Sequence, residues 1–130
     1  EYTRLTSPAQ AGMIIGRGPA AQTPLTGNAM VKHIVLWKLK DQAGGRSKAE
    51  NALQIKSLLE DLQGKIPGLI RLEVGLDIGA DGAAVDIALY SEFADRAALD
   101  TYQTHPLHEA VKPVVMAARE SRTVVDYEVP

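Results

Sequence analysis

The chain holds three histidines, His33, His105 and His108, and no cysteine. An imidazole has an ordinary pKa of about 6.5, so histidine is the side chain best suited to moving protons at neutral pH. His105 and His108 fall in one short segment, His105-Pro106-Leu107-His108, with Tyr102 just upstream. His108 is the candidate general base. His105 precedes a proline, which holds it out of the helical region; it is expected to hydrogen-bond the turn and set the start of the next helix. Structural roles compete throughout, because a histidine opening a helix often caps backbone amides and one on an inward strand face can be core. Three imidazoles can also hold zinc with an open position. No His-Glu-x-x-His spacing or accompanying carboxylate pattern supports a metal, so none is expected.

Other chemistries drop out by residue type. Without cysteine there are no disulfides, Cys-ligated zinc sites, iron–sulfur clusters or thiol nucleophiles, and a reducing, cytoplasmic setting is expected. Fourteen basic residues against sixteen acidic ones give a net charge of -2, with no basic stripe for nucleic acid. No apolar run approaches the roughly 18 residues of a membrane span. No Ser-His-Asp arrangement, nucleotide fingerprint or heme-attachment motif is present, and no cofactor is expected. Gly16-Arg17-Gly18 lacks both the preceding strand and the following Lys-Ser/Thr of a phosphate loop.

The elements that must position these residues begin at Met30. Residues 1–29 are rich in Ala, Gly, Thr, Pro and Gln, with Pro8, Pro19 and Pro24 breaking any helix. They are expected to form an extension, leader or vector-derived arm beside a domain at 30–130. Val31 to Lys40 reads as a strand, with Val31, His33, Val35, Trp37 and Leu39 on one face and Ile34 and Leu36 among lysines on the other. Lys32, Lys38 and Lys40 are read as a solvated or interface rim. Ser47-Lys48-Ala49-Glu50 matches a capping box. The stripe Ala52, Ile55, Leu59, Leu62 and Ile66 then predicts an amphipathic helix ending near Gly64 and Pro67.

Leu69 to Ile78 alternates as a second strand, with Ile70, Leu72, Val74, Leu76 and Ile78 on the inward face. A turn at 79–82 leads to a third strand, Ala84 to Ser91, in which Asp86 is a mid-strand charge. Asp86 is read either as a second acid–base group facing a polar cavity or as the partner of a Lys or Arg. Asp95 caps a second helix running to about Gln103. Pro106 opens a third, which Pro113 should kink or break. Arg122 to Val129 is a last strand. A pocket between sheet and helices would be lined by Trp37, Tyr90, Val35, Leu59 and Val111, which are also ordinary core positions. Trp37, Asp86 and Tyr90 are the candidate substrate contacts.

Strand, helix, strand, strand, helix pair, strand is the order of an α+β, ferredoxin-like βαββαβ fold with a four-stranded antiparallel sheet. Helices cover one face of such a sheet. Apolar residues on both faces of the first strand then predict a homodimer with sheet packed on sheet.

The segments MVKHIVLWKLK, IPGLIRLEVG, DIALYSEF, LDTYQTHPLH and ESRTVVDYEV resemble the stress-responsive A/B barrel domain family, often called Dabb. The resemblance runs from Met30 to about Val129. It implies a dimeric α/β barrel. It also implies that His108 is a base, assisted by Tyr102 and by His33, as in a plant polyketide cyclase of the family that works by an aldol reaction. That cyclase carries a Tyr and a His where Leu59 and Asp86 stand here, which puts its substrate in question for this chain. The expected function is cyclase- or lyase-like acid–base chemistry on a small carbonyl compound. The alternatives are a non-catalytic stress-response binding or structural dimer and a cofactor-free monooxygenase-like barrel. The expected partners are a second copy of the chain and a small apolar ligand.

Overall fold

The structure, a computed structural model, describes residues 29–79 and 84–130. Apart from Ala29, the expected arm lies outside the described residues, as does most of the turn expected at 79–82. Strand β1 (Met30–Leu39) is followed by a small hairpin, β2 (Gln42–Ala43) and β3 (Arg46–Ser47), and by helix α1 (Lys48–Glu60). Then come β4 (Leu69–Leu76), β5 (Ile87–Phe93), α2 (Arg96–Thr104), α3 (Pro106–Glu109), α4 (Lys112–Ala118) and β6 (Arg119–Val129). The main sheet is four-stranded in the order β4-β5-β1-β6, antiparallel at every pairing. This is the ferredoxin-like α+β arrangement.

β1 is central because both its neighbours pair along most of its length, and its alternation sets the inside of the molecule. Val31, His33, Val35, Trp37 and Leu39 are buried under the helices, while Lys32, Ile34, Leu36 and Lys38 are half-buried on the outer face. The register fixes who stands beside His33: Ser91 on β5 and Asp126 on β6. The core packs Ile55 and Leu59 of α1 and Leu99 and Tyr102 of α2 onto Leu89 and Phe93 of β5.

Local chemistry delimits the helices. Ser47 Oγ accepts from the Glu50 amide at 3.1 Å and Glu50 Oε1 accepts from the Ser47 amide at 2.9 Å, a reciprocal pair that satisfies two otherwise free donors. Asp95 Oδ1 accepts from the Ala98 amide at 2.8 Å to start α2. Pro106 begins α3, which lasts one turn. Pro113 then restarts the chain as α4 rather than continuing α3, the break expected of it.

Several details depart from the sequence reading, among them the end of α1, which stops at Glu60 and not near Gly64. A bulge between Leu69 and Arg71 inserts Ile70 as an unpaired residue, so Leu69 turns inward and Ile70 is 49% exposed. Ile78 lies past the end of β4 and is 90% exposed, so neither isoleucine belongs to the inward face. Asp86 precedes β5 rather than sitting within a strand. The loop after β1 is itself a hairpin, turned by Gly44 and Gly45, whose φ values of 62° and 77° suit the residue without Cβ.

Candidate functional site

Sheet and helices enclose a cavity of about 320 Å³, within the range of small-molecule sites. β1 supplies His33, Val35 and Trp37 to its wall. Tyr102 comes from α2 and His108 from α3, and Val111 and Val115 extend the apolar side. The sharp turn between α2 and α3 brings the last two together. His105 closes it: its Nδ1 accepts from the Leu107 amide at 3.1 Å. The residue is occupied as a cap, in keeping with its position before a proline.

Tyr102 and His108 stack with ring centroids 4.1 Å apart and planes 25° from parallel. His33 meets Tyr102 edge-on at 6.1 Å, and Phe93 backs both rings. His33, Tyr102 and His108 therefore form one aromatic cluster. His33 is fixed from behind, since its Nδ1 donates to Asp126 Oδ1 at 2.5 Å and both residues are at most 2% exposed. Ser91 Oγ donates to the His33 carbonyl at 3.0 Å and ties the same point of β1 to β5.

The unsatisfied atoms are the chemically informative ones. Trp37 Nε1, the Tyr102 hydroxyl and His108 Nδ1 are buried and have no hydrogen-bond partner among the described residues. Leaving a buried polar group unpaired costs about 1–3 kcal/mol, so native proteins carry few such groups. Here all three belong to residues lining one cavity.

Burial lowers the His108 pKa to about 4, the nearby Lys112 ammonium pushes the same way, and a hydrogen bond to the Gln103 backbone opposes both. His108 Nδ1 has no partner among the described residues, so a neutral ring protonated on Nε2 presents a bare lone pair there, the atom a base needs. Burial raises the Tyr102 pKa, against the pull of the Arg122 guanidinium, so the phenol stays protonated and able to donate.

Two of the expected substrate contacts stand elsewhere. Asp86 accepts from the Leu39 amide at 2.7 Å and pairs with Lys48 at 3.4 Å, so it ties the end of β1 to the start of α1 instead of facing the cavity. Tyr90 lies on the outer face of the sheet, where it donates to Glu92 at 2.5 Å and lies beneath Lys32 and Arg71. Strand parity explains this: Tyr90 is paired with Ile34, an outward residue of β1. Trp37 does line the cavity. No group of three or more His, Asp or Glu stands together as a metal site among the described residues.

Sequence reasoning missed Asp126, although its segment was singled out. Asp126 shares a strand face with buried Val124, and a carboxylate on an inward face requires a partner. It also missed Lys112, Arg119 and Arg122 in the cavity wall. Their signal was weak, because a basic residue at a helix start or strand end is usually solvated.

No helix among the described residues is long and apolar enough to cross a membrane. No curated protein matches the chain. Among solved structures, a dimeric protein of unknown function with a ferredoxin-like fold from Bacteroides fragilis is 40% identical. The match covers 81% of this chain and 99% of that one, with a TM-score of 0.70. A dimeric ferredoxin-like protein of unknown function from Thermobifida fusca is 22% identical over 78% of this chain and 92% of its own, with a TM-score of 0.69. A hydroxynitrile lyase from Passiflora edulis shares the fold at 21% identity, covering 79% of this chain and 95% of the lyase, with a TM-score of 0.66. Residues 31–129 match the stress responsive A/B barrel domain, and the chain belongs to that family, Dabb.

Proposed function

We propose that the cavity is an active site for general acid–base chemistry on a small carbonyl compound. The observation that carries this reading is the set of three buried, unpartnered polar atoms on residues that line one cavity. His108 Nδ1 takes a proton from the carbon beside the carbonyl to leave an enolate, or from the hydroxyl of a β-hydroxy carbonyl compound, whose C–C bond then breaks to give a carbonyl and an enolate that takes the proton back from the imidazolium. The Tyr102 hydroxyl donates to the oxygen on which negative charge develops, and the Trp37 indole N–H is a second donor in the cavity lining. His33, held by Asp126, orients the substrate. The fold similarity to a hydroxynitrile lyase supports the idea that such a scaffold can host lyase chemistry, though fold alone does not fix function.

The working unit is a homodimer with sheet packed on sheet. Ile34, Leu36, Tyr90 and Val125 are half-buried on the sheet face away from the helices, an apolar surface that a second copy would cover. Sedimentation at micromolar concentration would show a dimer, and a monomer would contradict this.

The catalytic reading is tested by deuterium exchange. Small ketones are incubated with the protein in D2O and loss of the proton next to the carbonyl is followed by NMR. Exchange should exceed the buffer rate and fall by about 100-fold or more in His108→Gln. An equal rate in the wild type and the variant would point instead to a non-catalytic binding dimer.

A further inference from the structure

The cavity has a charge pattern that the acid–base reading does not use. Among the described residues its wall contains three basic side chains, Lys112, Arg119 and Arg122, and no carboxylate. Of the acids near it, Asp126 is buried against His33, and Glu109 stands 3.5 Å from Lys112 and offsets part of its charge, which leaves the two arginines as the main source of positive field. Lys112 also donates to the Gln103 carbonyl at 2.8 Å, which holds its ammonium at the cavity. Arg122 lies close enough to Tyr102 to act on its hydroxyl electrostatically. Arg119 is half-buried, and its side chain makes no hydrogen bond or ion pair among the described residues. The rest of the lining is largely apolar, with Val35, Leu59, Leu89, Val111 and Val115.

A low-dielectric pocket with cations along one wall concentrates anions, and a guanidinium presents a planar fork matched to a carboxylate. We propose that the cavity selects a small organic carboxylate. Its apolar body, of aryl or short-alkyl size, packs on the valine and leucine wall. Its carboxylate meets Arg119, with Lys112 and Arg122 adding to the field. This names the substrate class of the site proposed above and rests on that reading only in requiring that the cavity take a ligand.

The test is equilibrium binding by calorimetry, which needs no turnover. The probes are phenylacetate and hexanoate against their neutral amides, phenylacetamide and hexanamide. Each acid should bind at least about tenfold more tightly than its amide. Arg119→Gln should narrow that gap and Arg119→Glu should abolish it, with folding checked by circular dichroism. Added salt should weaken the acids and leave the amides unchanged. Equal affinity of acid and amide, no binding by either acid, or full selectivity in Arg119→Glu would each overturn the proposal. Equal affinity removes the charge selectivity and leaves the acid–base reading standing. Intact selectivity together with unchanged exchange in His108→Gln does the reverse.

Discussion

Acidification should destabilise the folded protein through His108, and by a predictable amount. The ordinary imidazole pKa is 6.5 and burial brings that of His108 to about 4. Between those values the unfolded chain holds a proton that the folded chain does not, so stability rises with pH across the window. The contribution is complete above pH 6.5 and is lost progressively as pH falls toward about 4. Taken at face value, the displacement corresponds to about 3 kcal/mol. His108 is only half-buried, and solvent at the cavity screens its charge, so about 1–2 kcal/mol is the figure to expect. That remains large beside a total stability of roughly 5–15 kcal/mol.

The assay is urea unfolding of wild type and His108→Gln at roughly pH 7.5 and roughly pH 4.5. Protomer concentration must be held fixed, because association adds to apparent stability. Carboxylates that titrate in both proteins cancel in the difference. Wild type should lose about 1–2 kcal/mol more than the variant on acidification. Equal losses, or a smaller loss in wild type, would refute the claim that the fold holds His108 uncharged.

Three further substitutions separate chemistry from packing. Tyr102→Phe removes a hydroxyl with no partner among the described residues, so stability should hold or rise by up to about 1 kcal/mol while turnover falls; a clear loss of stability in thermal melts would contradict this. Asp126→Ala leaves His33 buried without its acceptor and should cost about 3–5 kcal/mol, with Asp126→Asn nearer 1–2 kcal/mol because the amide oxygen can still accept. Chemical denaturation ranks the two, and the opposite order would count against the pair. Gly68→Ala should cost about 2–3 kcal/mol, since φ is +84° and an added Cβ would lie 2.4 Å from Ala98 Cβ. Gly75→Ala, at a position with nothing within 4 Å, is the near-neutral control for the same melts.

Much of the fold could be read from local chemistry. The Ser47–Glu50 box, the stripe through Ile55 and Leu59, Asp95 at its cap and the break at Pro113 each act within a few residues, and each is in place. The inward face of β1 was legible for the same reason. What escaped depends on partners distant in sequence. The bulge at Ile70 belongs to the pairing of β4 with β5, and it inverts the parity that alternation alone suggests. Tyr90 was misplaced because sidedness in β5 is set by its register against β1, and Asp86 because it stands before that strand and pairs with Lys48. His33, Tyr102 and His108 do converge on one cavity. The acceptor that fixes His33 lies 93 residues away, and only the β1–β6 register places it opposite.

The central claim is that His108 is a neutral imidazole offering a bare Nδ1 to the cavity. It is tested most directly by long-range nitrogen–proton NMR of histidine-labelled protein through a pH titration. The tautomer of His108 should be Nε2–H at neutral pH, and its pKa should lie near 4. A proton on Nδ1, or a midpoint at or above the ordinary value near 6.5, would contradict it.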